Sequence, residues 1–63
     1  MSLIQALENE IIALKEEFEK FERGNKSAGT RARKVLQNIK RLSQDIRVLI
    51  QSAKKSEDPK KNP

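Results

Sequence analysis

The stretch Phe18-Glu-Lys-Phe-Glu-Arg-Gly-Asn-Lys-Ser-Ala-Gly-Thr-Arg-Ala32 decides how this 63-residue chain folds. On either side of it apolar residues alternate at spacings of three and four. Upstream stand Ile4, Leu7, Ile11, Leu14, Phe18 and Phe21; downstream stand Ala28, Ala32, Val35, Ile39, Leu42, Ile46, Leu49 and Ala53. This spacing puts the apolar groups on one stripe of a helix, the seam of a coiled coil with positions a and d apolar. Helix-forming residues dominate both stretches, so helices are expected over about 2–23 and 27–53. Between them, Gly24 suits the left-handed residue that ends a helix, and Asn25 or Ser27 can cap the next one. The expected fold is all-α: an antiparallel two-helix coiled-coil hairpin with its turn at about 24–26.

One feature of the same stretch favours a different connection. With Ile4 as a, the heptad phase runs unbroken from Phe21 (d) through Asn25 (a) to Ala28 (d) and Ala32 (a). A turn has no reason to keep that phase. The alternative is one long continuous helix pairing antiparallel in a homo-oligomer, at roughly 1 kcal/mol for each mid-helix glycine. Both arrangements set Phe21 against Ala28, Phe18 against Ala32, Leu14 against Val35, Ile11 against Ile39, Leu7 against Leu42 and Ile4 against Ile46. The expected core, shared between the hairpin and any oligomer, is Ile4, Leu7, Ile11, Leu14, Phe18, Phe21, Val35, Ile39, Leu42, Ile46 and Leu49. In this reading both phenylalanines are buried.

Below about 70–80 residues a single core seldom supplies more than about 3–5 kcal/mol. The chain has no Cys and no His, which removes disulfides and zinc sites as sources of stability. Leu3, Ile12, Leu36, Val48 and Ile50 widen the apolar faces beyond the seam. Hairpins are therefore expected to pair into a dimer resembling a four-helix bundle. The helical domain covers 1–53, and the aperiodic basic segment 54–63, with two prolines and four lysines, is expected to be a disordered tail. No signal-peptide pattern and no apolar run of membrane-spanning length occurs, so a cytoplasmic location and no membrane partner are expected.

Charge is divided along the chain. Residues 1–22 hold six glutamates and two lysines, a net −4, whereas residues 23–47 hold eight bases and only Asp45, a net +7. A basic block of that size points to a polyanion. Row b of the second half is Lys26, Arg33, Lys40, Arg47 and Lys54, and row c adds Lys34, Arg41 and Lys55. Both rows lie away from the seam, and from Lys26 to Lys54 they span about 42 Å of helix. Duplex DNA presents a charge every ~1.7 Å of axis, so such a rod can meet several phosphates. A merely solvated coiled-coil face would mix acids with bases; these two rows contain none. Arg31, in row g near the turn, can reach either a phosphate or the acidic helix. Free N–H groups at the start of the second helix offer a further anion contact.

Sequence readout and catalysis are disfavoured by inventory. Phe18 and Phe21 are the only aromatics and both lie on the seam, leaving no stacking platform for unpaired bases. With no His, Cys or Tyr and no glycine-rich phosphate loop, neither an enzyme nor a cofactor or small-molecule substrate is expected.

The segment Glu22-Arg-Gly-Asn-Lys-Ser-Ala-Gly-Thr-Arg-Ala-Arg-Lys34 resembles the short bacterial histone H1-like proteins of the chlamydial nucleoid type. The resemblance rests on Gly24, Asn25, Lys26, Ala28, Gly29, Thr30, Arg31, Ala32, Arg33 and Lys34, and extends more loosely to about Ile50. It implies a nucleoid protein that binds and compacts DNA without sequence preference. The departure is the tail: larger members carry long Lys/Ala-rich extensions, while this one is short and broken by Glu57 and Asp58. The expected function is therefore sequence-independent binding of double-stranded DNA by an architectural, self-associating protein. Its phosphate contacts are Lys26, Arg31, Arg33, Lys34, Lys40, Arg41, Arg47, Lys54 and Lys55. RNA remains open as a ligand. The alternative is a coiled-coil module that docks its basic stripe on an acidic protein.

Overall fold

The computed structural model describes residues 2–57, with side chains as far as residue 53. Two antiparallel helices form it: α1, Leu3–Glu22, and α2, Lys26–Glu57. Ser2 caps α1, its hydroxyl accepting from the Gln5 N–H at 3.1 Å. At the other end the chain reverses within three residues. The Gly24 N–H donates to the Phe21 carbonyl at 2.9 Å and the Asn25 N–H to the Lys20 carbonyl at 3.0 Å. That paired closure is a Schellman motif, which needs a positive φ at its glycine. Gly24 supplies it at φ +105°. Asn25 then caps α2, its Oδ1 accepting from the Ala28 N–H at 3.2 Å. The hairpin, not the continuous helix, is the fold.

Substituting Gly24 distinguishes the two connections by sign. In a continuous helix, Gly24→Ala would stabilise by about 1 kcal/mol. In the hairpin it forces a Cβ onto a positive φ and costs about 1–2 kcal/mol. Urea denaturation followed by circular dichroism should therefore show a lower midpoint for this variant.

The hairpin extends 49 × 23 × 13 Å, a single layer of two helices. Among the described residues only Ala28 and Ala32 are buried, both in the first two turns of α2 beside the hairpin turn. Farther along, α2 turns Val35, Ile39, Leu42 and Ile46 inward, as its seam predicts. α1 follows its seam only at Leu7 and Leu14 of row d. Its half-buried residues are Leu3, Ala6, Leu7, Glu10, Ala13, Leu14 and Glu17, which belong to rows g, c and d. Row a is left outside: Ile4, Ile11 and Phe18 are 54%, 42% and 47% exposed, and Phe21 is 46% exposed. Leu49, near the end of α2, is exposed as well.

This corrects the expected layers of Phe18 on Ala32, Ile11 on Ile39 and Ile4 on Ile46, and the expected burial of both phenylalanines. The cause lies in α1. Small Ala6 and Ala13 let row c approach, and two polar contacts draw row g inward. Arg31 Nε donates to Glu17 Oε1 at 2.9 Å, and Asn38 Nδ2 to Glu10 Oε1 at 3.4 Å. The hairpin consequently has one polar edge and one apolar edge. On the apolar edge Phe21 lies over Gly29, so closely that a Cβ there would stand 2.8 Å from the ring. Only glycine permits that approach. Phe18 continues the edge, its ring centroid 6.1 Å from that of Phe21.

Candidate nucleic-acid interface

Around a heptad helix the rows follow in the order d, a, e, b, f, c, g. α2 gives rows d, a and part of e to α1, so rows b, f and c form its outer face. Row b places Lys26, Arg33, Lys40 and Arg47 there, and row c places Lys34 and Arg41; all six are exposed. Between them runs row f, Thr30, Gln37, Gln44 and Gln51, neutral and able to donate hydrogen bonds. Thr30, Arg33, Lys34 and Gln37 line an open depression on this face. No acid occurs in these three rows as far as residue 53; Asp45 belongs to row g.

The arrangement is a rod with two cationic ridges flanking a strip of polar side chains. From Arg33 to Arg47 is about 21 Å of helix, enough to meet successive phosphates along one side of a groove. The strip of glutamines was not picked out from the sequence, apart from Gln37. The signal was present in the seven-residue spacing of row f, but neutral residues between bases draw no notice in a count of charge.

Other expected contacts fall elsewhere. Arg31 stands on the polar edge and is held by Glu17, the acidic-helix alternative of its two expected roles. At the start of α2, Asn25 already takes the Ala28 N–H, so that amide is not free for a phosphate. Lys54 and Lys55 continue the backbone of α2, and their side chains lie outside the described part. Most of the expected tail, 58–63, lies outside the described residues altogether. Among the described residues no group of His, Cys, Asp or Glu is placed to hold a metal ion, and no helix is long and apolar enough to cross a membrane.

The family model described as Histone H1-like protein Hc1 matches residues 1–56, a span containing both arms of the hairpin and the whole basic face. The chain belongs to this histone H1-like family. Such proteins are DNA-binding nucleoid proteins, not enzymes. No curated protein and no solved structure gives a significant match. The histone H1-like match covers Ile4 to Phe21 as well as the Gly24–Lys34 segment that first carried the resemblance, so it includes the acidic helix.

Proposed function

We propose that this chain binds double-stranded DNA without reading sequence, by laying the outer face of α2 along phosphates, and that it organises the nucleoid as a self-associated unit. The observation that carries this reading is the acid-free face formed by Lys26, Arg33, Lys34, Lys40, Arg41 and Arg47. Such a face positions a protein on DNA through phosphates, and phosphate contacts carry no sequence information. Thr30 and the row f glutamines add donors to phosphate or sugar oxygens. α1, net −4, turns its acids to other sides, which keeps the face uniformly positive.

Fluorescence anisotropy with unrelated duplexes, titrated across salt, tests the proposal. Equal affinities are expected, with log K falling against log[salt] at a slope of about −4 to −5, since four to six phosphates are neutralised. A strong preference for one duplex would refute sequence-blind binding. No binding at about 50 mM salt would favour the acidic protein partner instead. RNA duplex as competitor reports whether the face distinguishes the two polyanions.

A further inference from the structure

Gln37 stands at the centre of a square of cations. Arg33 and Lys34 lie four and three residues before it, and Lys40 and Arg41 three and four residues after it. Residues at these spacings are surface neighbours on a helix, so all four side chains adjoin the amide. Gln44 has a similar frame, Lys40 and Arg41 before it and Arg47 and Val48 after it. A ridge that only tracks one row of phosphates needs neither a second ridge beside it nor an uncharged amide between the two. Val48 breaks the pattern again. It is 51% exposed and is the one apolar residue in rows b, f and c of α2 as far as residue 53.

We infer that α2 lies in the major groove of B-form DNA, row b against one strand and row c against the other, with Gln37 and Gln44 over the base edges. Rows b and c hold consecutive residues, so they stand about 100° apart around a rod about 10–12 Å across. The major groove, about 12 Å wide, admits such a rod between its two phosphate rows; the minor groove, about 6 Å wide, does not. Row f is opposite the seam, which puts α1 behind α2 and clear of both strands. From Gln37 to Gln44 is about 10.5 Å of helix, the rise of about three base pairs. Val48 fits the same groove. The thymine methyl, an apolar group on a base edge, stands in the major groove and not in the minor.

This step rests on the DNA-binding reading and goes beyond it, because it carries the glutamines past the sugar-phosphate to the bases. A base contact of this kind stays blind to sequence. A primary amide offers one carbonyl acceptor and two N–H donors. Every base pair shows the major groove at least one acceptor, on its purine, and one amino donor, on adenine or cytosine. Gln37 and Gln44 therefore find a partner at any pair, and add affinity and orientation without selecting a site.

The experiment titrates the full chain, by anisotropy, into one duplex in three forms. The first is unmodified. In the second, glucosylated hydroxymethylcytosine replaces cytosine and fills the major groove; in the third, guanine benzylated on its amino group fills the minor groove. Affinity should fall about tenfold or more on the glucosylated duplex and change less than about twofold on the benzylated one. Gln37→Ala supplies a second reading. On the unmodified duplex it should weaken binding about two- to tenfold, with the salt slope unchanged, because a neutral amide displaces no counterion. On the glucosylated duplex it should weaken nothing further, since the base edges are already out of reach. Full affinity for the glucosylated duplex would leave α2 outside the groove. A loss confined to the benzylated duplex would move the face to the minor groove, and an equal effect of Gln37→Ala on both duplexes would take Gln37 off the bases. Each of these overturns the inference and leaves DNA binding intact, whereas no binding to the unmodified duplex sinks the DNA reading itself.

Discussion

Arg33→Glu, Arg41→Glu and Arg47→Glu together are expected to reduce duplex affinity by about a thousandfold, with helical content unchanged. Each arginine stands exposed on the outer face of α2, and among the described residues none of the three has an ion-pair or hydrogen-bond partner for its side chain. Each neutralised phosphate contributes about one unit to the salt slope, so removing three contacts should flatten a slope of −4 to −5 to about −1 to −2. The reversed charges add repulsion to the loss. Helicity has no reason to fall, because glutamate is as good a helix former as arginine and the positions lie away from α1. Anisotropy across salt, beside far-ultraviolet circular dichroism, measures both quantities. Retained affinity and slope would move the interface off α2. The parallel reversal of Arg31 alone should behave differently. Its guanidinium is committed to Glu17, so its loss should act chiefly on the polar edge of the hairpin and little on the slope.

The difference between these arginines marks how far the sequence could be read. Heptad spacing exposed both helices, and Gly24 with Asn25 exposed the turn, because a helix stop and a helix start are local matters of backbone φ and capping. The basic rows were legible for the same reason: a seven-residue repeat places side chains on one face whatever α2 packs against. The rotation of α1 was not. Leu3, Ile4, Ala6, Leu7, Ile11, Ile12, Ala13, Leu14 and Phe18 spread apolar groups over an arc wider than one seam. Which half of that arc meets α2 depends on the close approach of Ala6 and Ala13 and on Glu10 and Glu17 reaching Asn38 and Arg31, contacts between residues 14 and 28 positions apart. The a/d rule chose row a, Ile4, Ile11 and Phe18, whereas in the hairpin the smaller Ala6 and Ala13 of row c turn inward beside Leu7 and Leu14. That choice also hid the apolar edge, since residues assigned to the core cannot be suspected of an interface.

Ala28→Leu is expected to destabilise the hairpin by about 1–3 kcal/mol, the cost of forcing extra methylenes into a filled site. Ala28 has no exposed surface at all, and it sits in the first turn of α2, beside the chain reversal. Its neighbour Gly29 already has Phe21 at contact, so the ring cannot retreat across it to make room. The backbone must move instead, and movement at Ala28 strains the Asn25 cap, whose Oδ1 accepts from the Ala28 N–H. In a domain with about 3–5 kcal/mol in total, that loss takes a large part of the stability. Ile12→Ala is the matching control. Ile12 is 57% exposed and belongs to row b of α1, on the side away from α2, so its truncation should shift the midpoint little. Urea midpoints of the two variants at equal protein concentration decide the matter. A larger shift from Ile12→Ala than from Ala28→Leu would mean that the stabilising contacts lie on the outside of α1, and that the close approach at the turn contributes little. The expected order, with Ala28→Leu far the more damaging, places the structural keystone in the small residues beside the turn. Leucine and isoleucine farther along the helices then serve chiefly to extend a contact that Ala28, Gly29 and Ala32 make possible.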